Sequence, residues 1–236
     1  MARGAFLALL VALATPAAAQ AADLIDNGSF AEGFSGWTLY DTAVGYRAPA
    51  GFPPIVTAFD VAGSGTPQQV ARLQVGAVEF NDYDPSFIGG GGLRQTLNVA
   101  ASGTYGFAAA IAASNPDAWN ADGGTFTVYL DGLAMTSFTF GEIGEGSVLR
   151  GGLSFSTTLS AGMHDLAIEA VRVFETRPST PYQYVTGITL AGEVPEPTGW
   201  AMMIAGFGLI GARLRRVHSA ASASSASACW RFHISA

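Results

Sequence analysis

Residues 125–132 read TFTVYLDG, and this stretch decides the fold class. Phe126, Val128 and Leu130 alternate with polar residues and a tyrosine, which is the period of a β-strand with one buried face. Asp131-Gly132 then supplies the residue pair that a tight two-residue turn prefers, because both turn positions need a positive φ. Residues 135–140 follow as the return strand. The stretch therefore predicts a β-hairpin.

Segments of similar length and pattern occur on both sides of this hairpin, separated by Gly, Asp, Asn and Pro turns. No stretch between the two termini has a helical period with caps. Residues 89–92 are four consecutive glycines with no cation after them, and we interpret them as a flexible hairpin tip. The pattern predicts an all-β fold, an antiparallel jelly-roll β-sandwich of about nine strands. The predicted strands are residues 36–40, 72–75, 93–99, 104–112, 125–130, 135–140, 153–159, 164–174 and 184–190.

Charge and cysteine content limit the partners of this region. Residues 22–194 are long enough for one domain with its own core and contain no cysteine, since Cys229 lies beyond them. Between Asp23 and Glu196 there are eighteen acidic residues and six arginines, a net charge of −12, and the chain has no lysine. Nucleic acids and anionic membranes need clustered cations, so neither is an expected partner.

The N-terminus has the order of a secretory signal peptide. Arg3 gives a positive start, residues 5–14 are almost wholly apolar, and small residues follow from Ala17 to Ala21. The apolar run of about ten residues is too short to cross a bilayer as a helix. We therefore expect residues 1–21 to be a signal peptide, and the protein to be exported.

The other end combines a short motif, an apolar segment and a basic cluster. Pro195-Glu196-Pro197 precedes Trp200, and residues 200–212 carry no charge. The cluster that ends the segment consists of Arg213, Arg215 and Arg216. Such arginines stay on the cytoplasmic side of a membrane, and a tryptophan suits the opposite interface. The pattern predicts a transmembrane helix that is short for a permanent anchor.

Residues 195–216 resemble the PEP-CTERM sorting signal in its PEPxxWA-type form. The resemblance implies that an exosortase, a membrane protease associated with exopolysaccharide production, is a processing partner. It also implies transient insertion in the inner membrane, cleavage near the motif, and release to the cell surface. Residues 217–236 follow the arginines and are rich in Ser and Ala, so we expect a disordered tail.

A second resemblance begins near the start of the predicted domain. Residues 27–37 read NGSFAEGFSGW, residues 161–166 read AGMHDL and residues 184–190 read YVTGITL. These segments resemble the opening and closing parts of galactose-binding-like jelly rolls and related carbohydrate-binding modules. The resemblance implies the same fold across residues 22–194. Ala31 stands where that family often has a glutamate of a structural calcium site. We also expect Phe30 and Trp37 to enter the core.

No catalytic motif is present, and we expect no enzymatic activity and no catalytic residue. His164 is the one histidine of residues 22–194, and we interpret it as a turn residue that satisfies backbone groups. Two oxygen-rich loops are candidate calcium sites, so calcium is the one cofactor considered. Three aromatic residues in polar loops are candidates for stacking on a sugar ring. The candidate calcium ligands are Asp82, Asp84, Asp117 and Asp122, and the candidate glycan-binding residues are Trp119, Tyr83 and Phe87.

Three functions stay open at this point. The leading hypothesis is a non-enzymatic surface or extracellular-matrix protein, sorted by an exosortase and associated with exopolysaccharide. The second is a carbohydrate-binding module or lectin for a secreted polysaccharide, and the third is a glycosidase-type enzyme. Exposed aromatic residues on one sheet face favour the second, and two carboxylates facing each other across a cleft favour the third.

Overall fold

The computed structural model describes residues 22–77, 88–116, 122–172 and 181–192, which contain twelve β-strands and no helix. The strand bounds in chain order are β1 Thr38–Asp41, β2 Gly45–Tyr46, β3 Ile55–Phe59, β4 Gln68–Leu73, β5 Gly76–Ala77, β6 Gly89–Val99, β7 Gly103–Ser114, β8 Thr125–Leu130, β9 Leu133–Thr139, β10 Val148–Leu159, β11 Gly162–Arg172 and β12 Tyr182–Gly192.

Ten of these strands form two five-stranded sheets. The first sheet has the order β1-β6-β11-β8-β9, and the second has the order β10-β7-β12-β4-β3. All pairings are antiparallel, and β2 and β5 form a separate small pair. The chain passes between the two sheets seven times: from β1 to β3, β4 to β6, β6 to β7, β7 to β8, β9 to β10, β10 to β11 and β11 to β12. The prediction of a two-sheet antiparallel sandwich is confirmed, and the arrangement is consistent with a jelly roll.

The alternating pattern places one side of each strand in the core. In β8, Phe126, Val128 and Leu130 are buried, while the residues between them are half-buried on the other side. Inward residues of the two sheets meet in one cluster, where the Phe107 and Phe155 rings of the second sheet stack with centroids 4.9 Å apart. A fully buried side chain of this size contributes about 1.5–3 kcal/mol to stability.

Residues 26–37 close one end of the sandwich. The Phe30 side chain is fully buried, and its ring lies 5.8 Å from that of Trp37, which is itself 7% exposed. Gln95 on β6 holds this segment, because its amide accepts from the Asp26 N–H and donates to the carbonyl oxygens of Asp26 and Gly36. The expectation that Phe30 and Trp37 enter the core is confirmed.

The prediction for the four glycines was wrong. Residues 89–92 are not a hairpin tip but the first part of β6, where Gly92 pairs with Tyr40 of β1 and with Glu169 of β11. A Cβ atom on Gly92 would collide with the carbonyl oxygen of Ile168. The neighbouring strands approach β6 too closely for side chains at these positions. The glycines therefore serve strand pairing and do not form a flexible loop.

Nine of the strands match the predicted ones, and β2, β3 and β5 were missed. The signal peptide, the sorting motif, its arginine cluster and the tail lie outside the described residues. Within the part of the chain that the structure describes, no helix is long and apolar enough to cross a bilayer.

Candidate functional site

The outer side of the first sheet carries a compact set of polar and aromatic side chains. The strand register places Tyr40, Gly92, Glu169 and Thr127 in one row across four strands. The next row is Thr38, Arg94, Ala167 and Tyr129. We call this surface the tyrosine face, and it consists of Thr38, Tyr40, Gly92, Arg94, Thr96, Thr127, Tyr129, Asp165, Ala167 and Glu169.

The alternation of apolar residues decides which side chains reach this face. In β11, Leu166, Ile168 and Ala170 are buried, so Glu169 between them projects from the other side of the sheet. Tyr129 of β8 is placed outside by the same rule. The face spans from β1 to β8, which is about 14 Å at the usual spacing of neighbouring strands.

Glu169 accepts hydrogen bonds from tyrosines on both sides. The Tyr40 hydroxyl donates to Oε2 at 3.2 Å, and the Tyr129 hydroxyl donates to Oε1 at 3.4 Å. Burial, and then the neighbouring Glu169 carboxylate, raise the pKa of both phenols above the usual range. Both tyrosines therefore stay neutral, with their hydroxyl protons directed at one carboxylate.

The surface between the larger side chains of the tyrosine face is formed by small residues. Gly92 has no side chain and Ala167 has only a methyl group, and they separate Tyr40 from Glu169 and Arg94 from Tyr129 in their rows. A depression of about 450 Å³ lies beside Tyr40, with Arg94, Thr96, Asp165 and Ala167 among its lining residues. A ligand on this face can reach a tyrosine and several polar groups together.

The charged groups around the depression are one carboxylate, Asp165, and one guanidinium, Arg94. The Thr96 hydroxyl donates to Asp165 Oδ1 at 2.7 Å, so Asp165 keeps free acceptor positions. Arg94 is exposed and is the one arginine on the tyrosine face. The face thus offers two carboxylates and one guanidinium, with tyrosines on two of its strands.

The two carboxylates of this face do not suit the usual glycosidase arrangement. Asp165 and Glu169 stand four residues apart on β11, which puts their Cα atoms about 13 Å apart in a strand. Glycosidases that use a carboxylate pair place the two carboxyl groups about 5–9.5 Å apart. Side chains that stand perpendicular to a sheet keep roughly the separation of their Cα atoms. The spacing of Asp165 and Glu169 therefore does not match that of a glycosidase pair.

His164 lies at another place, beside the β8–β9 turn. Its Nδ1 lies 2.7 Å from Asp131 Oδ2, and its Nε2 lies 3.0 Å from the Ser160 carbonyl oxygen and 3.5 Å from Ser160 Oγ. A carbonyl oxygen only accepts, so Nε2 must be a donor there and cannot take a proton from the Ser160 hydroxyl. His164 satisfies a backbone carbonyl as expected, but it lies in β11 and not in a turn, so that part of the interpretation was wrong. Its partner Asp131 was missed.

One of the four candidate calcium ligands lies in the described part of the chain. Asp122 accepts a hydrogen bond from the Gly124 N–H at 3.0 Å, and its backbone pairs with Glu142. Among the described residues, no three His, Cys, Asp or Glu side chains converge in a way that could hold a metal ion. Asp82, Asp84 and Asp117 lie outside the described residues.

The candidate glycan-binding residues Trp119, Tyr83 and Phe87 also lie outside the described residues. Sequence reasoning missed Tyr40, Tyr129 and Glu169 because it looked for aromatics in polar loops. A signal for Tyr129 was present, since it occupies a polar position in the alternation of β8. Its proximity to Tyr40 and Glu169 depends on strand order, which the sequence pattern does not contain.

No family model and no curated protein matches this sequence. Several solved structures show a limited similarity to this chain. TmCBM61 in complex with beta-1,4-galactotriose is 13% identical, with a TM-score of 0.41, and the match covers 73% of this chain and 99% of that one. A putative sugar binding protein from Bacteroides thetaiotaomicron VPI-5482 is 9% identical, with a TM-score of 0.42 and coverage of 73% and 100%.

A carbohydrate binding module from Cellvibrio mixtus lichenase 5A, in complex with cellotriose, is 16% identical. Its TM-score is 0.29, and the match covers 59% of this chain and 88% of that one. All three TM-scores lie below 0.5. We therefore derive the function from the residues of this chain.

Proposed function

We propose that this chain is a non-catalytic carbohydrate-binding protein and that a glycan lies on its tyrosine face. One observation supports this most: tyrosines from two strands flank a single glutamate above a floor of Gly92 and Ala167. The arrangement leaves the carboxylate, the phenols and an exposed arginine accessible from one side.

The chemistry of a sugar matches these groups. A pyranose ring has a C–H face that packs against an aromatic ring, and an edge of hydroxyl groups that donate and accept hydrogen bonds. Tyr40 and Tyr129 offer aromatic surface with a polar end. Glu169 and Asp165 accept from sugar hydroxyls, and the Arg94 guanidinium donates to sugar oxygens.

We further propose that the protein reaches the cell surface and acts in the extracellular matrix. The signal-peptide pattern of residues 1–21 and the PEP-CTERM-like segment of residues 195–216 support export and exosortase processing. Carbohydrate binding would then attach a sorted surface protein to an exopolysaccharide. Intact-mass analysis of the surface form tests this proposal, and a mature chain that retains both residues 1–14 and residues 200–216 would refute it.

Retention by polysaccharides in native gels tests the binding proposal. We expect the purified full chain to be slowed by at least one of three neutral hexose polymers: galactan, β-glucan or mannan. Replacing Tyr40 with alanine should weaken this retention at least about tenfold, since truncation of a central aromatic contact commonly costs 2 kcal/mol or more.

A matched control is available on the opposite sheet. Tyr182 is also half-buried, but it lies on the outer side of the second sheet under the Arg72 guanidinium, 4.6 Å from the ring centroid. The Tyr182→Ala variant should keep wild-type retention. Equal retention of the wild type and the Tyr40→Ala variant would contradict the proposed site.

A further inference from the structure

The ionised groups of the first sheet are unevenly distributed over its strands. β8 and β9 contain no charged residue. On the tyrosine face, β6 contributes Arg94, and β11 contributes Asp165 and Glu169. At the edge of the sheet, Asp41 of β1 is already paired with Arg47, with an N–O distance of 2.7 Å. The ligand therefore meets two carboxylates against one guanidinium.

The hydrogen-bonding groups of the tyrosine face, like its charges, disfavour an anionic ligand. Both Glu169 oxygens accept from tyrosine hydroxyls, so the two phenol protons are already used. Asp165 also accepts, from Thr96. Carboxylate and sulfate groups carry no proton to donate at neutral pH, whereas a sugar hydroxyl donates to a carboxylate. The carboxylates of the tyrosine face can accept further hydrogen bonds from a ligand that donates them. An anionic ligand there would instead be repelled by these carboxylates.

The remainder of the domain adds to this effect. The net charge of −12 between Asp23 and Glu196 gives the surroundings of the site the same sign. Such a field lowers the local concentration of anionic chains and acts beyond direct contacts at low ionic strength.

We infer that the tyrosine face takes uncharged, hydroxyl-rich glycans and rejects polyanionic ones, with Glu169 as the residue that sets this selectivity. The inference rests on the glycan-binding proposal above and specifies the chemical class of its ligand. A uronic acid or sulfated polymer is excluded even where its sugar rings match those of a neutral one.

Chemically matched polymers test this selectivity. Galactan, β-glucan and mannan would each be used in native form and after partial oxidation of their C6 alcohols to carboxylates. In low-salt buffer, we expect the full chain to bind the native form of the polymer that slows it in gels at least about tenfold more tightly than the oxidised form. Salt at about 1 M, where the Debye length falls to about 3 Å, should reduce this ratio.

The Glu169→Gln variant isolates the role of the charge. Glutamine keeps a carbonyl acceptor for a tyrosine hydroxyl but carries no charge, so the ratio between native and oxidised polymer should fall to about threefold or less. Glu145 is exposed in the connection between β9 and β10, away from the tyrosine face. Glu145→Gln makes the same change in net charge and should leave the ratio as in the wild type.

The outcomes of these binding experiments lead to different conclusions. A preference for native polymer that Glu169→Gln reduces and Glu145→Gln preserves supports the inference. Equal or tighter binding of the oxidised polymer by the wild type overturns the selectivity while glycan binding stands. The selectivity is also wrong if both variants change the ratio equally, because the net charge alone then accounts for it. Retention of neither form overturns the glycan-binding proposal and the inference together.

Discussion

At the scale of single residues, the candidate site follows from which side of a strand each residue occupies. Glu169 lies between the buried residues Ile168 and Ala170, and it therefore projects from the opposite side of the first sheet. A one-residue shift in register would turn Glu169 into the core and bring an apolar neighbour out. Burial of the apolar neighbours thus fixes the carboxylate on the outer face.

His164 provides a prediction about pH. The Asp131 carboxylate, and then the Ser160 carbonyl, raise the pKa of the His164 imidazole above its ordinary value. A group whose folded pKa is raised adds stability that is fully present below the unfolded pKa of about 6.5, and this stability is lost as pH rises through the folded pKa. Wild-type stability should therefore fall as pH rises above about 6.5, by no more than about 1 kcal/mol because the Asp131 carboxylate is half exposed.

Asp131, the partner of His164, sets the acid limit of the pH range in which the pair stabilises the fold. The Asp165 N–H, and then His164, lower the pKa of the Asp131 carboxyl, so its contribution is lost as pH falls through that lowered value. Urea unfolding at several pH values measures the effect. The His164→Gln variant should lose the decline above about pH 6.5, and a variant that declines as steeply as the wild type would show that another group is responsible.

At the scale of strands, β6 shows what alternation does and does not predict. Residues 93–99 alternate, and their prediction as a strand is confirmed. The preceding glycines have no side chains, so no pattern indicates that they continue the same strand. They do so because β1 and β11 approach β6 closely on both sides, and this approach is a property of the neighbours.

Replacing Gly92 with alanine tests this explanation. The new Cβ would meet the Ile168 carbonyl oxygen, so β11 must shift, and we expect a loss of about 1–3 kcal/mol in the free energy of unfolding. Gly106 in β7 is a matched control, because a Cβ there has no heavy atom within 4 Å. The Gly106→Ala variant should be neutral or slightly stabilising. Similar urea midpoints for the two variants would contradict the close-approach explanation.

Physical reasons explain why the sequence did not predict β2, β3 and β5. β3 follows Pro53-Pro54, a pair that is typical of a loop, and its residues IVTAF do not alternate. β2 and β5 have two residues each, too few for any period. The hairpin at Asp131-Gly132 was predictable because its turn needs positive φ at both positions, which the structure shows as 51° and 79°.

At the scale of the whole molecule, two independent sets of features support the proposed role. The termini resemble signals for export and sorting, and the described domain carries a polar, aromatic face on one sheet. The charge pattern was readable from composition, and it is the basis of the expectation that nucleic acid is not a partner. The site was not readable, because Tyr40, Tyr129 and Glu169 are far apart in sequence and meet only through the order β1-β6-β11-β8.

NMR mapping of a bound glycan would locate the binding surface on this domain. The isotope-labelled full chain would be titrated with oligosaccharides of the polymer that retains it. We expect the largest amide shifts at Gly92, Arg94, Ala167 and Glu169, in the rows of the tyrosine face. Shifts concentrated instead on the outer side of the second sheet, at Ala108, Ala110, Ser154 and Ser156, would contradict glycan binding on the tyrosine face.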